Sequence, residues 1–299
     1  MREYILDCLG TFPKKTNLDL KIINTEQFDN YKCQLIEYNV EEHERVQSYL
    51  LVPNELKEKN PAILAIHQHA GNWKIGKSEV VGKTNDKMFA YGLDLVGRGY
   101  VVIAPDIICF ESRMGEKEYK ETRDGQKAYE RFVFCDYLVN GKTLQGKTLH
   151  DLSVALDVLY ELDYVDQNNI GVIGHSLGGQ ESIWIQWFDE RIKAGVSSCG
   201  VSMIKDIIDN KILHNFYLYI PNMLEKCDID ELIYEITLKR KLLILSGLKD
   251  ENHFPLSGIK KIEDRVKNSN FKSIQFNDGH KFNDSEKEEA YKFLDNNLK

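Results

Sequence analysis

Ser176, Asp250 and His280 have the side-chain types and the chain order needed for acyl transfer. A hydroxyl is a weak nucleophile at neutral pH and requires a base within hydrogen-bond reach, oriented in turn by an acid. Ser176 is the centre of Gly174-His175-Ser176-Leu177-Gly178, preceded by the apolar Ile170, Val172 and Ile173 and followed by Ile183, Trp184, Ile185, Trp187 and Phe188. That pattern reads as strand, tight turn, helix. The turn demands glycine on both sides, because a Cβ at 174 or 178 would strike the neighbouring strand or helix, and it drives the serine backbone into a strained region. It lifts Oγ clear of the sheet and places it at the positive end of the next helix.

Of the histidines after Ser176, His280 lies in Asn277-Asp278-Gly279-His280-Lys281-Phe282, between the final strand and the final helix. A loop there can return an imidazole over the turn, so His280 is the candidate base. The acid is expected after the preceding buried strand, where Gly247-Leu248-Lys249-Asp250-Glu251-Asn252 offers Asp250, with Glu251 as the neighbouring alternative. Two backbone N–H groups must meet the developing oxyanion. Leu177 supplies one by following the nucleophile. The loop His67-Gln68-His69-Ala70-Gly71 supplies the other, from His69 or from Gln68. Histidines at i and i+2 on a strand point to opposite faces, so His67 and His69 do not read as a metal pair. Trp73, Phe110, Tyr217 and Tyr219 are the aromatic candidates for lining a substrate pocket.

The elements that position these groups follow from the hydrophobic pattern. Residues 1–17 read as a short helix and a turn at Pro13; three strand-like segments follow at 18–22, 33–38 and 46–53, joined by short polar links as an antiparallel meander. From residue 62 the character changes. Continuous apolar runs at 62–66, 100–106, 170–173, 192–197 and 241–247 read as strands buried on both faces, with 273–276 as the last strand. Helical stretches at 86–98, 148–162 and 284–298 alternate with them, and Leu152, Ala155, Leu156 and Leu159 mark one face of the second. This alternation implies a mostly parallel central sheet with helices on both faces and N-terminal antiparallel strands. The chain is expected to form one domain over 1–299, with 107–147 and 201–238 as lid-like or wall-like insertions.

Composition narrows the class of function. A net charge of −8 argues against nucleic acid and anionic membrane as partners. The first residues carry acids and lack a long apolar core, and the six cysteines form no C-x-x-C pair, so a cytoplasmic protein is expected. The partner expected is a small-molecule ester, no cofactor is required, and a homo-oligomer is left open.

Over most of its length the chain resembles α/β-hydrolases of the dienelactone hydrolase and acetyl xylan esterase (cephalosporin-C deacetylase) type. The resemblance is carried by residues 45–53, His67 to Gly71, 98–106, Gly174 to Gly179, Gly247 to Asp250 and Asp278 to Phe282. It implies an α/β-hydrolase fold, with Ser176 as nucleophile, Asp250 as acid, His280 as base, and the amides of His69 and Leu177 for the oxyanion. The serine at 176 departs from the cysteine of dienelactone hydrolases and favours ordinary ester hydrolysis, with a short acyl group such as acetyl. The same three residues would also serve amide cleavage or acyl transfer. A hydrolase fold used only for binding is the reading from another class, and the presence of all three residues in order weighs against it.

Overall fold

The computed structural model describes residues 1–299. Nine strands form one sheet: β1 (Lys21–Gln27), β2 (Tyr31–Glu41), β3 (Glu44–Pro53), β4 (Asn60–Ile66), β5 (Val101–Pro105), β6 (Val165–His175), β7 (Ile192–Ser198), β8 (Lys241–Gly247) and β9 (Phe271–Phe276). The helices are α1 (Arg2–Leu9), α2 (Lys77–Val80), α3 (Tyr91–Gly97), α4 (Lys117–Lys120), α5 (Arg123–Val139), α6 (Leu144–Glu161), α7 (Leu177–Phe188), α8 (Ile204–Asp209), α9 (Ile229–Thr237), α10 (Leu256–Arg265) and α11 (Asp284–Leu298).

The spatial order is β1-β2-β3-β5-β4-β6-β7-β8-β9. β1, β2, β3 and β5 pair antiparallel, and every pair from β5 through β4 to β9 is parallel. This is the α/β-hydrolase arrangement. The period of two along each buried strand divides the core between two faces. Ala62, Leu64 and Ile66 join α1, α6, α7 and α9 on one side. Ile63 and Ala65 join α2, α3 and α11 on the other. Strands buried on both faces are uniformly apolar for that reason, as the run at 62–66 indicates.

Three elements differ from the pattern reading. The first strand spans Lys21–Gln27 instead of 18–22. All but one of its residues are exposed, so alternation carries no information on where it starts, and its register comes from the turn to β2. Leu18 is buried nonetheless, in the chain leading to the strand. The helix expected over 86–98 shortens to Tyr91–Gly97. The helix expected over 148–162 begins four residues earlier at Leu144, where the Thr143 side chain accepts the Gly146 N–H at 2.9 Å.

Candidate active site

The turn at Ser176 has the backbone its sequence demands. Ser176 adopts φ +55° and ψ −118°, a combination that side chains other than hydrogen disfavour. Its amide is tied to the Ser198 carbonyl at 2.8 Å, so pairing with the end of β7 holds the strained residue in place. A Cβ at Gly174 would lie 2.2 Å from the Gly178 backbone, and one at Gly178 would lie 2.0 Å from the Ile66 carbonyl oxygen. The helix α7 therefore starts directly against the end of β4. Leu177 occupies its first position, where an amide has no intrahelical acceptor.

Asp250 follows β8 and is buried; His280 follows β9. Their side chains meet, with His280 Nδ1 2.7 Å from Asp250 Oδ2. With Nδ1–H donating to the carboxylate, Nε2 is left as the basic nitrogen. The ring of His175, the residue before Ser176, lies 4.7 Å from the His280 ring. The Sγ of Cys199, which follows the Ser198 that anchors Ser176, lies within 4.8 Å of a carboxylate oxygen of Asp250 and a ring nitrogen of His280. The hydrogen bond from Ser176 Oγ to His280 Nε2 is not made in this conformation, as is common until substrate closes a site. Burial raises the carboxyl of Asp250, but hydrogen bonds from His253 and His280 outweigh it and hold the group below the usual range. Burial also pushes His175 well down, with the charge of His280 adding to it, so His175 stays neutral.

The loop after β4 separates the two amide candidates. Gln68 N–H points at Glu79 Oε2 at 3.4 Å and its side-chain amide donates to Oε1 at 2.8 Å. The backbone N–H of His69 donates to no group of the chain. His69 is held by its ring: Nδ1 accepts from Gly71 N–H at 3.0 Å, and Nε2–H donates to Glu130 at 3.0 Å. His67 is equally committed, donating from Nδ1 to the Gln68 carbonyl at 2.8 Å and accepting the Ile107 N–H on Nε2 at 3.1 Å. Neither histidine has a ring nitrogen left for a metal.

The family model described as Acetyl xylan esterase (AXE1) matches residues 11–201, and that described as the Prolyl oligopeptidase family matches residues 137–299. The chain belongs to the acetyl xylan esterase family of α/β-hydrolases. Its chemistry is that of a carboxylic ester hydrolase. It is 28% identical, over 88% of its length and 84% of the other, to YtaP of Bacillus subtilis (strain 168), described as a hydrolase. Acetyl xylan esterase 1 from Thermoanaerobacterium sp. JW/SL YS485 superposes with a TM-score of 0.63 at 16% identity, over 98% of this chain and 97% of that one. A glucuronoyl esterase from Solibacter usitatus gives 0.67 at 13% identity, over 96% and 88%. At those identities the two structures attest the shared fold.

The remaining predicted residues of this esterase divide. Trp73 and Phe110 stand edge-on to His69, at 5.1 and 5.0 Å between ring centroids. Tyr217 is fully buried and its hydroxyl donates to the Ile108 carbonyl at 2.5 Å, so it braces the segment that carries Phe110. Tyr219 faces an apolar pocket of about 220 Å³ with Phe134, Leu138 and Met223, while its hydroxyl accepts the His214 N–H at 2.9 Å.

Sequence reasoning passed over four residues. His253 donates to the second oxygen of Asp250 at 2.8 Å. His214 and Phe254 pack edge-on at 4.8 Å, and Phe254 stacks at 6.0 Å on His280. Glu130, on α5, is the buried partner of His69. The one local signal was His253, three residues after Asp250, where a single turn returns its side chain.

On the helix that follows Ser176, Glu181 of α7 is fully buried and accepts from Gln145 at 2.6 Å and Gln180 at 3.2 Å. Burial pushes its carboxyl up to about 8, more than these bonds lower it. An unfolded glutamate titrates near 4.3. Between about pH 4.5 and 8 the folded state therefore holds a proton that the unfolded state has lost, and stability falls as pH rises through that window. Glu181→Gln removes the penalty. Its melting temperature is expected to match wild type near pH 4.5 and to exceed it by about 5–10 °C at pH 8. Melting curves at both pH values check this, and an equal offset at the two sinks it.

Proposed function

We propose that Ser176, His280 and Asp250 act as nucleophile, base and acid in hydrolysing a small-molecule carboxylic ester with a short acyl group, acetyl foremost. The observation that carries this reading is the 2.7 Å Asp250–His280 contact, with the His280 ring 4.7 Å from that of His175, the chain neighbour of a serine held at φ +55°. His280 Nε2 takes the proton as Ser176 Oγ attacks the ester carbonyl. Asp250 keeps the imidazole in the Nδ1–H tautomer and stabilises its positive form. The amides of Leu177 and His69 receive the oxyanion, and the occupied Gln68 amide is why His69 takes that place. His280 then protonates the leaving alcohol, and water activated by the same nitrogen releases the acid.

The short acyl group is supported by the names of the family and of the Thermoanaerobacterium relative, both of which point to acetyl esters.

Hydrolysis of p-nitrophenyl acetate, butyrate and octanoate tests the reading together with fluorophosphonate labelling. Expected are a kcat/KM for acetate at least ~100-fold above that for octanoate, as loss of about 3 kcal/mol of fit implies, and a label on the peptide that contains Ser176. A preference for octanoate overturns the short acyl group. A label elsewhere overturns the nucleophile.

A further inference from the structure

The Asp250 carboxylate serves two imidazoles. His280 Nδ1 lies 2.7 Å from Oδ2 and His253 Nδ1 lies 2.8 Å from Oδ1, and the two rings stack at 4.7 Å with 30° between their planes. Asp250 itself is 3% exposed, whereas the side chain of His253 is 55% exposed. A proton can therefore reach His253 directly from solvent, and its charge then sits on the one carboxylate that His280 depends on. We propose that His253 is a positioning residue of the acid–base relay, holding the free oxygen of Asp250 and, by gaining or losing its own charge, setting the pH at which His280 is available as base. The inference rests on the reading of Ser176, His280 and Asp250 given above.

One negative charge cannot stabilise two imidazolium ions stacked face to face, so the pair titrates as a unit. The groups facing His253 decide which ring is charged first. From its own turn Asp250 raises it, and that hydrogen bond outweighs the opposing effect of burial. From the loop after β9 comes His280, and from the segment after α8 comes His214. Burial, followed by the charges of His253, His280 and His69, pushes His214 down to about 3, so it contributes no positive charge near neutrality. His253, half-exposed and bonded to Asp250, is the ring that protons reach from solvent. A cation there, stacked 4.7 Å from the His280 ring, opposes a second positive charge on the same carboxylate.

Two variants separate the hydrogen bond from the charge. His253→Phe removes both; His253→Gln can still donate to Oδ1 but cannot titrate. In both, the acid limb of the kcat/KM profile for p-nitrophenyl acetate is expected to move up by roughly 0.5–1 pH unit, since His280 alone now draws on Asp250. Activity at pH 5.5 relative to the plateau then falls about 3- to 10-fold. The plateau is expected to drop about 10-fold in His253→Phe, where Asp250 loses a donor, and to recover at least in part in His253→Gln. The reciprocal effect needs no turnover: in His280→Gln, the imidazole NMR titration of His253 shifts to higher pH. Acid limbs that coincide in all three proteins overturn the proposal, as does a lowered plateau with an unmoved limb. Asp250→Asn and His280→Gln in the same assay keep the two readings apart. If both are inactive while the limb stays put, only the role of His253 falls; if either remains as active as wild type, the underlying assignment falls.

Discussion

Ser176→Ala is expected to lower kcat for a short ester by about 10⁵- to 10⁶-fold while leaving KM within a few-fold and the melting temperature nearly unchanged. The reason is that nucleophile and base act as a unit. Without Oγ, Nε2 of His280 has nothing to activate but water, and the activity expected to survive is what the amides proposed for the oxyanion, those of Leu177 and His69, supply. His280→Gln should therefore cost about as much, and the double variant little more than either single one. Asp250→Asn should cost about 10⁴-fold, because an amide does not hold the His280 tautomer or balance its charge, although the 2.7 Å spacing can persist. Steady-state kinetics with p-nitrophenyl acetate, read beside far-UV circular dichroism, check the series. Activity of Ser176→Ala within tenfold of wild type would falsify the nucleophile assignment.

Lys77→Met is expected to destabilise the protein by about 3–5 kcal/mol, the cost of stranding a buried charge. The Lys77 side chain is 3% exposed and its Nζ lies 2.7 Å from both Asp106 Oδ2 and Glu111 Oε1. Asp106, at the end of β5, also accepts the Lys77 amide at 2.8 Å and the Ser112 amide at 3.1 Å. Glu111 accepts the amides of Gly76 and Ser78, each at 3.0 Å. This network fastens residues 106–112 to the start of α2, and that same segment sends Ile107 N–H to His67 and Phe110 against His69. Burial raises the Glu111 carboxyl, but Lys77 outweighs it and holds the group low; loss of the ammonium reverses that. The deficit relative to wild type should therefore shrink as pH falls and the stranded carboxyls take up protons. Urea denaturation at pH 7.5 and pH 5 measures it, and a loss below about 1 kcal/mol at pH 7.5 would show that the cluster is relaxed or hydrated.

The parts of the molecule legible in the sequence are those in which a local backbone demand selects the residue. Gly174 and Gly178 flank Ser176 because a Cβ at either meets backbone at 2.2 Å or less. The uniformly apolar runs at β4, β5 and β8 follow from burial on both sheet faces. Asp250 and His280 are distant in sequence, yet each follows a recognisable strand, so chain order alone brings out the pair. The start of β1 is hidden because the strand is exposed along almost its whole length, and no alternation ties it to a core.

The three-dimensional arrangement alone decides how the other ionisable groups attach to the site. Glu130 sits in a charged helix whose sequence does not distinguish it from its neighbours, and only docking of α5 makes it the buried partner of His69. His214 belongs to a segment without regular structure, and its place beside Phe254 depends on the Tyr219 hydroxyl that holds its amide. His253 is three residues from Asp250, but its stacking on His280 requires the loop after β9 to return across the β8 turn. Type and order of Ser176, Asp250 and His280 follow from local chain geometry and can be read along the sequence. The electrostatics that tune them depend on distances of a few ångströms between segments that meet only on folding.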